Sequence, residues 1–109
     1  MEVLQLNEWL AASAYRDDAI ALTRLGWHAT YAKLYRPALI ERSLVVSNYT
    51  TDETIRSFMR SRRPTLLITA PEDAALRERF ERQLGAAIGP RQLVKTIGKL
   101  MVFDIREPK

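Results

Sequence analysis

The sequence predicts an α/β domain on a small mixed sheet of three to four strands, and three observations carry that expectation. Two short apolar runs, SLVVSN at 43–48 and PTLLITA at 64–70, are each followed by a helix-start signal and an amphipathic stretch. The tail, RQLVKTIGKLMVFDI at 91–105, reads as two strands turning near Gly98. The first 42 residues carry apolar side chains mostly at helical spacing. At 109 residues the chain suits one domain, with a mainly helical segment at 1–42 and strand–helix–strand–helix–hairpin at 43–109.

The elements follow in order. LNEWLAASAYRDDAIALTRLG reads as a first helix, with Asn7 capping its start and Gly26 ending it in the left-handed conformation. Leu6, Trp9, Leu10, Ile20 and Leu25 form its apolar set. In WHATYAKLYRPALIER, Trp27, Tyr31 and Tyr35 are four apart and share a helical face. They are also all odd-numbered and would share a strand face, so the element type stays open. A second helix, bent near Pro37, is the preferred reading. The strand at 43–48 leads into TTDE, a capping box in which the Thr50 hydroxyl serves the Glu53 N–H. A helix follows with Ile55, Phe58 and Met59 apolar, ended by Pro64. After the strand at 64–70, TAPE reads as a second capping box from Thr69 to Glu72, with Pro71 at the first helical position. The helix it opens buries Leu76, Phe80 and Leu84 and stops at Gly85. Two strand–helix units imply parallel pairing. The last strand, LMVFDI, alternates poorly and is expected to be central or covered.

Composition excludes several function classes. The chain has no cysteine, which removes a disulfide framework, a cysteine zinc site and a thiol nucleophile. His28 is the lone histidine, so a histidine metal site would need sharing between copies. No apolar run approaches the ~18 residues of a spanning helix. The amino terminus lacks the basic and apolar regions of a secretory signal, so a cytoplasmic location away from membranes is expected. Asp17 and Asp18 are adjacent and, on a helix, point about 100° apart, so they do not make a catalytic pair. Ser47, His28 and Asp17 supply the residue types of a triad without the glycines of a nucleophile elbow. The loops after the two parallel strands, SNYTT and TAPED, hold no glycine. They place Asp52, Glu53, Glu72 and Asp73 where a phosphate would sit, which argues against a nucleotide fold. No metal, cofactor or catalytic residue is assigned.

Charge supplies the candidate sites. The net charge is +4, and it is uneven. Residues 1–54 hold five basic and seven acidic side chains, whereas residues 55–109 hold twelve basic and six acidic. Arg60, Arg62 and Arg63 gather at the end of a helix without local acids, while Asp52 stands four before Arg56 and pairs with it. Such arginines complement a helix dipole, and they also suit an anion or an acidic protein face. Lys95, Lys99 and Arg91 on the hairpin would extend the patch if they lie on the same side. By contrast the equally basic Arg77, Arg79 and Arg82 belong to a helix with acids at helical spacing, Asp73 to Arg77, Arg77 to Glu81 and Glu78 to Arg82, and read as a solvated structural face. Trp27, Tyr31 and Tyr35, with Lys33 and Arg36 between them, are either a packing face or an aromatic interface. Three functions are therefore weighed. The first is a self-associating protein-binding module using the arginines and the aromatic face. The second is a nucleic-acid binder using the same arginines. The third is a small enzyme with its site at the strand carboxyl ends.

Overall fold

The computed structural model describes residues 2–15, 17–23, 43–47 and 49–106. They form five strands, β1 (Ile20–Thr23), β2 (Leu44–Val46), β3 (Leu66–Thr69), β4 (Leu93–Ile97) and β5 (Leu100–Asp104). Three α-helices accompany them, α1 (Glu2–Ala12), α2 (Asp52–Arg62) and α3 (Ala74–Leu84). The sheet order is β2-β1-β3-β5-β4. β1 runs parallel to both β2 and β3, and β5 runs antiparallel to β3 and β4. The carboxyl ends of β1, β2, β3 and β4 therefore lie at one end of the sheet, and β5 begins there.

Alternation places one core on each face. Ile20, Leu22, Leu66, Ile68, Ile97, Leu100 and Val102 pack with Leu6 and Leu10 of α1. Ala21, Val46, Leu67 and Phe103 point the other way, onto Ile55 of α2 and Leu76 and Phe80 of α3. β1 and β3 are buried along their whole length. β5 lies between β3 and β4 and is mostly buried, as its poor alternation implies.

The mixed α/β class holds, with five strands in place of three or four. The extra strand is β1, which falls inside the stretch expected to continue the first helix. α1 stops at Ala12, where the Ser13 hydroxyl donates to Leu10 O at 2.9 Å and accepts from the Tyr15 N–H at 3.1 Å. A strand covered on both faces needs no polar alternation, so Ala-Ile-Ala-Leu fits a buried strand as well as a helix. Asn7 is interior to α1 rather than its cap. Gly26 and the stretch 27–42, with its expected second helix, lie outside the described residues.

Both expected capping boxes are corrected. Thr51, not Thr50, caps α2, accepting from the Thr54 N–H at 3.1 Å, while Thr50 Oγ1 accepts from Ser47 N at 2.9 Å. Thr69 makes no cap. It is buried at the end of β3, and Pro71–Asp73 form a 3-10 turn leading into α3, with Pro71 first as expected. Gly85 does end α3 at φ 80, and its N–H closes on Glu81 O at 2.9 Å.

One polar tie joins the α1–β1 connection to the end of β5. The Tyr15 hydroxyl donates to Asp104 Oδ2 at 2.8 Å, and the Arg106 guanidinium grips the same carboxylate while lying 5.4 Å over the Tyr15 ring. Hydrogen bonds from Arg106 hold the Asp104 carboxyl below its ordinary range, against the effect of burial. Burial, then the bond to Asp104, pushes the Tyr15 phenol above its ordinary range. A lowered acid contributes stability that is present above its unfolded pKa of ~3.9 and lost as pH falls through the folded value. A raised phenol contributes stability that is present below ~10 and lost as pH rises through its folded value. Asp104→Asn should therefore flatten both the acid limb below pH ~4 and the alkaline limb above ~10, in urea midpoints measured across pH. Unchanged limbs would remove this tie from the pH dependence.

Candidate binding surface along helix α2

The arginines occupy the last turn of α2 and the residue after it. Arg63 ends the helix at φ 47 and ψ 63, with its N–H on Met59 O at 3.2 Å. Pro64 is buried next, and β3 begins two residues later. Arg60, Arg62 and Arg63 are all exposed, and none makes an ion pair or side-chain hydrogen bond with any described residue. A left-handed non-glycine residue is strained by ~1–2 kcal/mol. Arg63→Gly should relieve that strain, offset in part by unfolded-chain entropy, for a net gain of up to about 1 kcal/mol in chemical denaturation. A net loss would mean that the Arg63 side chain holds the helix end.

The neighbouring cations are engaged. Arg56 Nε donates to Gln83 Oε1 at 3.2 Å, so it reaches across to α3 instead of pairing with Asp52. Asp52 pairs with Arg79 of α3 at 3.1 Å. The same guanidinium donates to Ser47 O at 3.2 Å and to Thr50 O, clamping the β2–α2 loop. Two members of the expected i,i+4 pairs within α3 engage other elements. Arg77 lies 6.0 Å over the Phe103 ring, and Glu81 accepts from the Ile88 N–H. Neutral partners and neighbouring elements take the place of local acids.

Lys99 lies at the opposite end of the sheet from the arginines. β3 starts beside Asp104 and ends beside Met101. The β4–β5 turn holding Lys99 is therefore at the end where β3 finishes, and the arginines are where it starts. Lys95 lies midway along the edge strand β4, opposite Val102. Arg91, exposed in the 3-10 turn Pro90–Gln92, is the hairpin cation at the arginine end. Trp27, His28, Tyr31 and Tyr35 lie outside the described residues.

The strand carboxyl ends hold a closed cluster. Thr23 Oγ1 donates to Thr69 Oγ1 at 2.8 Å and lies 3.3 Å from Asp73 Oδ2. Asp73 is 4% exposed, and both threonines are buried. Among the described residues no three acids or histidines are grouped to hold a metal ion. Beside this cluster Tyr49, 95% exposed, stands on the loop clamped by Arg79. Its exposure was not legible in the sequence, because an aromatic in a turn is read as readily inward as outward.

A groove of about 460 Å³ runs between β2 and α2. Leu44 and Phe58 give it apolar walls, Thr54, Ser57 and Ser61 give it hydroxyls, and Glu53 and Arg62 mark its two ends. Tyr49 lies past the Glu53 end in the chain, and Arg60 and Arg63 flank the other. Comparison of the chain with protein-family models, with curated proteins and with solved structures found no match.

Proposed function

We propose that the chain is a non-enzymatic binding module that docks an acidic protein surface on Arg60, Arg62 and Arg63. The observation that carries this reading is three exposed arginines on one helix end, without partners among the described residues. Arg56, Arg77 and Arg79 of α2 and α3 find partners among the described residues, whereas these three, gathered at one helix end, do not. The strain kept at Arg63, where glycine would sit without steric conflict, also favours a use for its charge. Tyr49 at the far end of α2 offers the kind of aromatic anchor that interfaces favour.

A nucleic acid is the runner-up. It needs cations spread along a track, because each phosphate contact counts. Here exposed Glu53 and Glu72 lie toward the opposite end of α2, which favours a compact acidic patch over a long polyanion. The deciding experiment is fluorescence anisotropy with labelled heptaglutamate and with labelled single- and double-stranded DNA, at low and near-physiological salt. Saturable peptide binding that is lost on replacing the three arginines supports the proposal. Tighter DNA binding with a steep salt slope would replace it with the runner-up.

Self-association has its own observation. β4 is an edge strand of the described sheet, with Leu93 and Val94 39% and 41% exposed, next to a bulge between Leu93 and Lys95. Exposed apolar residues on a strand edge invite pairing with a second copy. If they are used so, Val94→Lys should shift sedimentation from dimer to monomer while leaving the melting temperature of the protomer nearly unchanged. A wild-type monomer at high concentration would dismiss this contact.

A further inference from the structure

We infer that the groove between β2 and α2 takes an extended acidic segment of a partner protein, running antiparallel to β2 with its acidic carboxyl end at Arg62. This rests on the acidic-partner reading above and adds the conformation and direction of what is bound. Three observations carry it.

First, the groove has charge polarity. Glu53 in the first turn of α2 and Arg62 in its last turn both line it, and Arg60 and Arg63 neighbour Arg62. A segment with acids at one end is held in one direction and repelled in the other. Second, the length fits an extended chain. Nine residues of helix separate Glu53 from Arg62, about 14 Å, which about four extended residues span. Third, β2 is the outer strand of the described sheet, with β1 its one described partner. Its second edge carries backbone groups that can pair with an added strand, the mode by which sheets bind extended peptides. Alternate side chains of that strand would face Leu44 and Phe58, and the others would lie on the Val45 side of the sheet.

Direction follows from topology. α2 returns from the carboxyl end of β2 toward its start, which brings Arg62 to the level of Leu44. A segment antiparallel to β2 therefore ends, at its carboxyl terminus, beside Arg62. Antiparallel pairing is also the slightly more stable arrangement.

The test uses three fluorescein-labelled probes on the full chain. One is an octapeptide of alternating valine and threonine with three glutamates at its carboxyl end. The second carries the three glutamates at its amino end. The third is heptaglutamate. The expected result is that the first probe binds at least about tenfold tighter than the second. Ser57→Trp, which fills the groove, should weaken the first probe at least about tenfold and leave heptaglutamate within about twofold. The double reversal Glu53→Arg with Arg62→Glu should invert the preference between the octapeptides, and it decides the matter if the tryptophan variant does not fold. Equal binding of the two octapeptides, or an unaffected Ser57→Trp, would overturn the groove while heptaglutamate binding keeps the acidic-partner reading alive. Failure of all three probes to bind would overturn both.

Discussion

Phe80→Ala should cost about 3–5 kcal/mol, the largest loss expected from a single substitution in this chain. Phe80 is fully buried where α3 meets the sheet, in one cluster with Ala21, Val46, Leu67, Phe103 and Ile55. It thus touches the layer that joins α2, α3 and the face of the sheet they cover. Removing the ring loses its transfer free energy and leaves a cavity among the close-packed side chains of this cluster. A domain of this size has roughly 5–15 kcal/mol in all, so the variant keeps little margin. At ~4–8 °C per kcal/mol, its melting temperature should fall by more than ~12 °C. A loss under about 1 kcal/mol would mean that α3 does not seat on the sheet through this residue. Because α3 also carries Arg79, the clamp on the β2–α2 loop should loosen with it.

The elements legible in the sequence were helices with one wet face and strands bounded by clear turn or helix signals. α2 and α3 show their buried stripes because their outer sides are charged, and β2 and β3 are bounded by turn and helix signals. β1 was hidden for the opposite reason. With both faces covered, Ala19 to Thr23 offers no alternation, and the alanines suit a helix equally well. Threonine pairs also misled: in Thr50-Thr51 either residue has the chemistry of a cap, and only the backbone turn decides which one takes it.

The candidate site was half legible. That Arg60, Arg62 and Arg63 lack acids at helical spacing can be read along one helix, and their side chains are exposed and unpartnered among the described residues. What Arg79 and Arg56 do cannot be read in that way, because their partners belong to another element. The same limit separates Lys99 from the arginines. Which end of the sheet a hairpin turn occupies is set by strand direction, and the antiparallel β3–β5 pairing sends it away from them. The groove needs the edge position of β2, which strand order alone decides.

Reversing the three arginines to glutamate should weaken binding of an acidic peptide by at least about a hundredfold, some 2.7 kcal/mol or more. Each arginine offers a forked donor, and a charge-assisted bond to a carboxylate is about twice as strong as a neutral one. The side chains are exposed, so each contact is screened and the three are not additive. Reversal also adds repulsion, which neutralisation does not. Arg60→Gln, Arg62→Gln and Arg63→Gln together should thus fall between the wild type and the reversed variant. The salt dependence separates this from simple misfolding. Wild-type affinity should drop as ionic strength rises, the glutamine variant should show a flatter slope, and the reversed variant should bind better as salt screens the repulsion. Folding will change less: glutamates in place of Arg60 and Arg62 at the helix end cost about 0.3–1 kcal/mol each through the dipole. A melting curve close to wild type, beside a lost interaction, would assign the arginines to the partner. An interaction unchanged in both variants would leave them as the solvated end of α2.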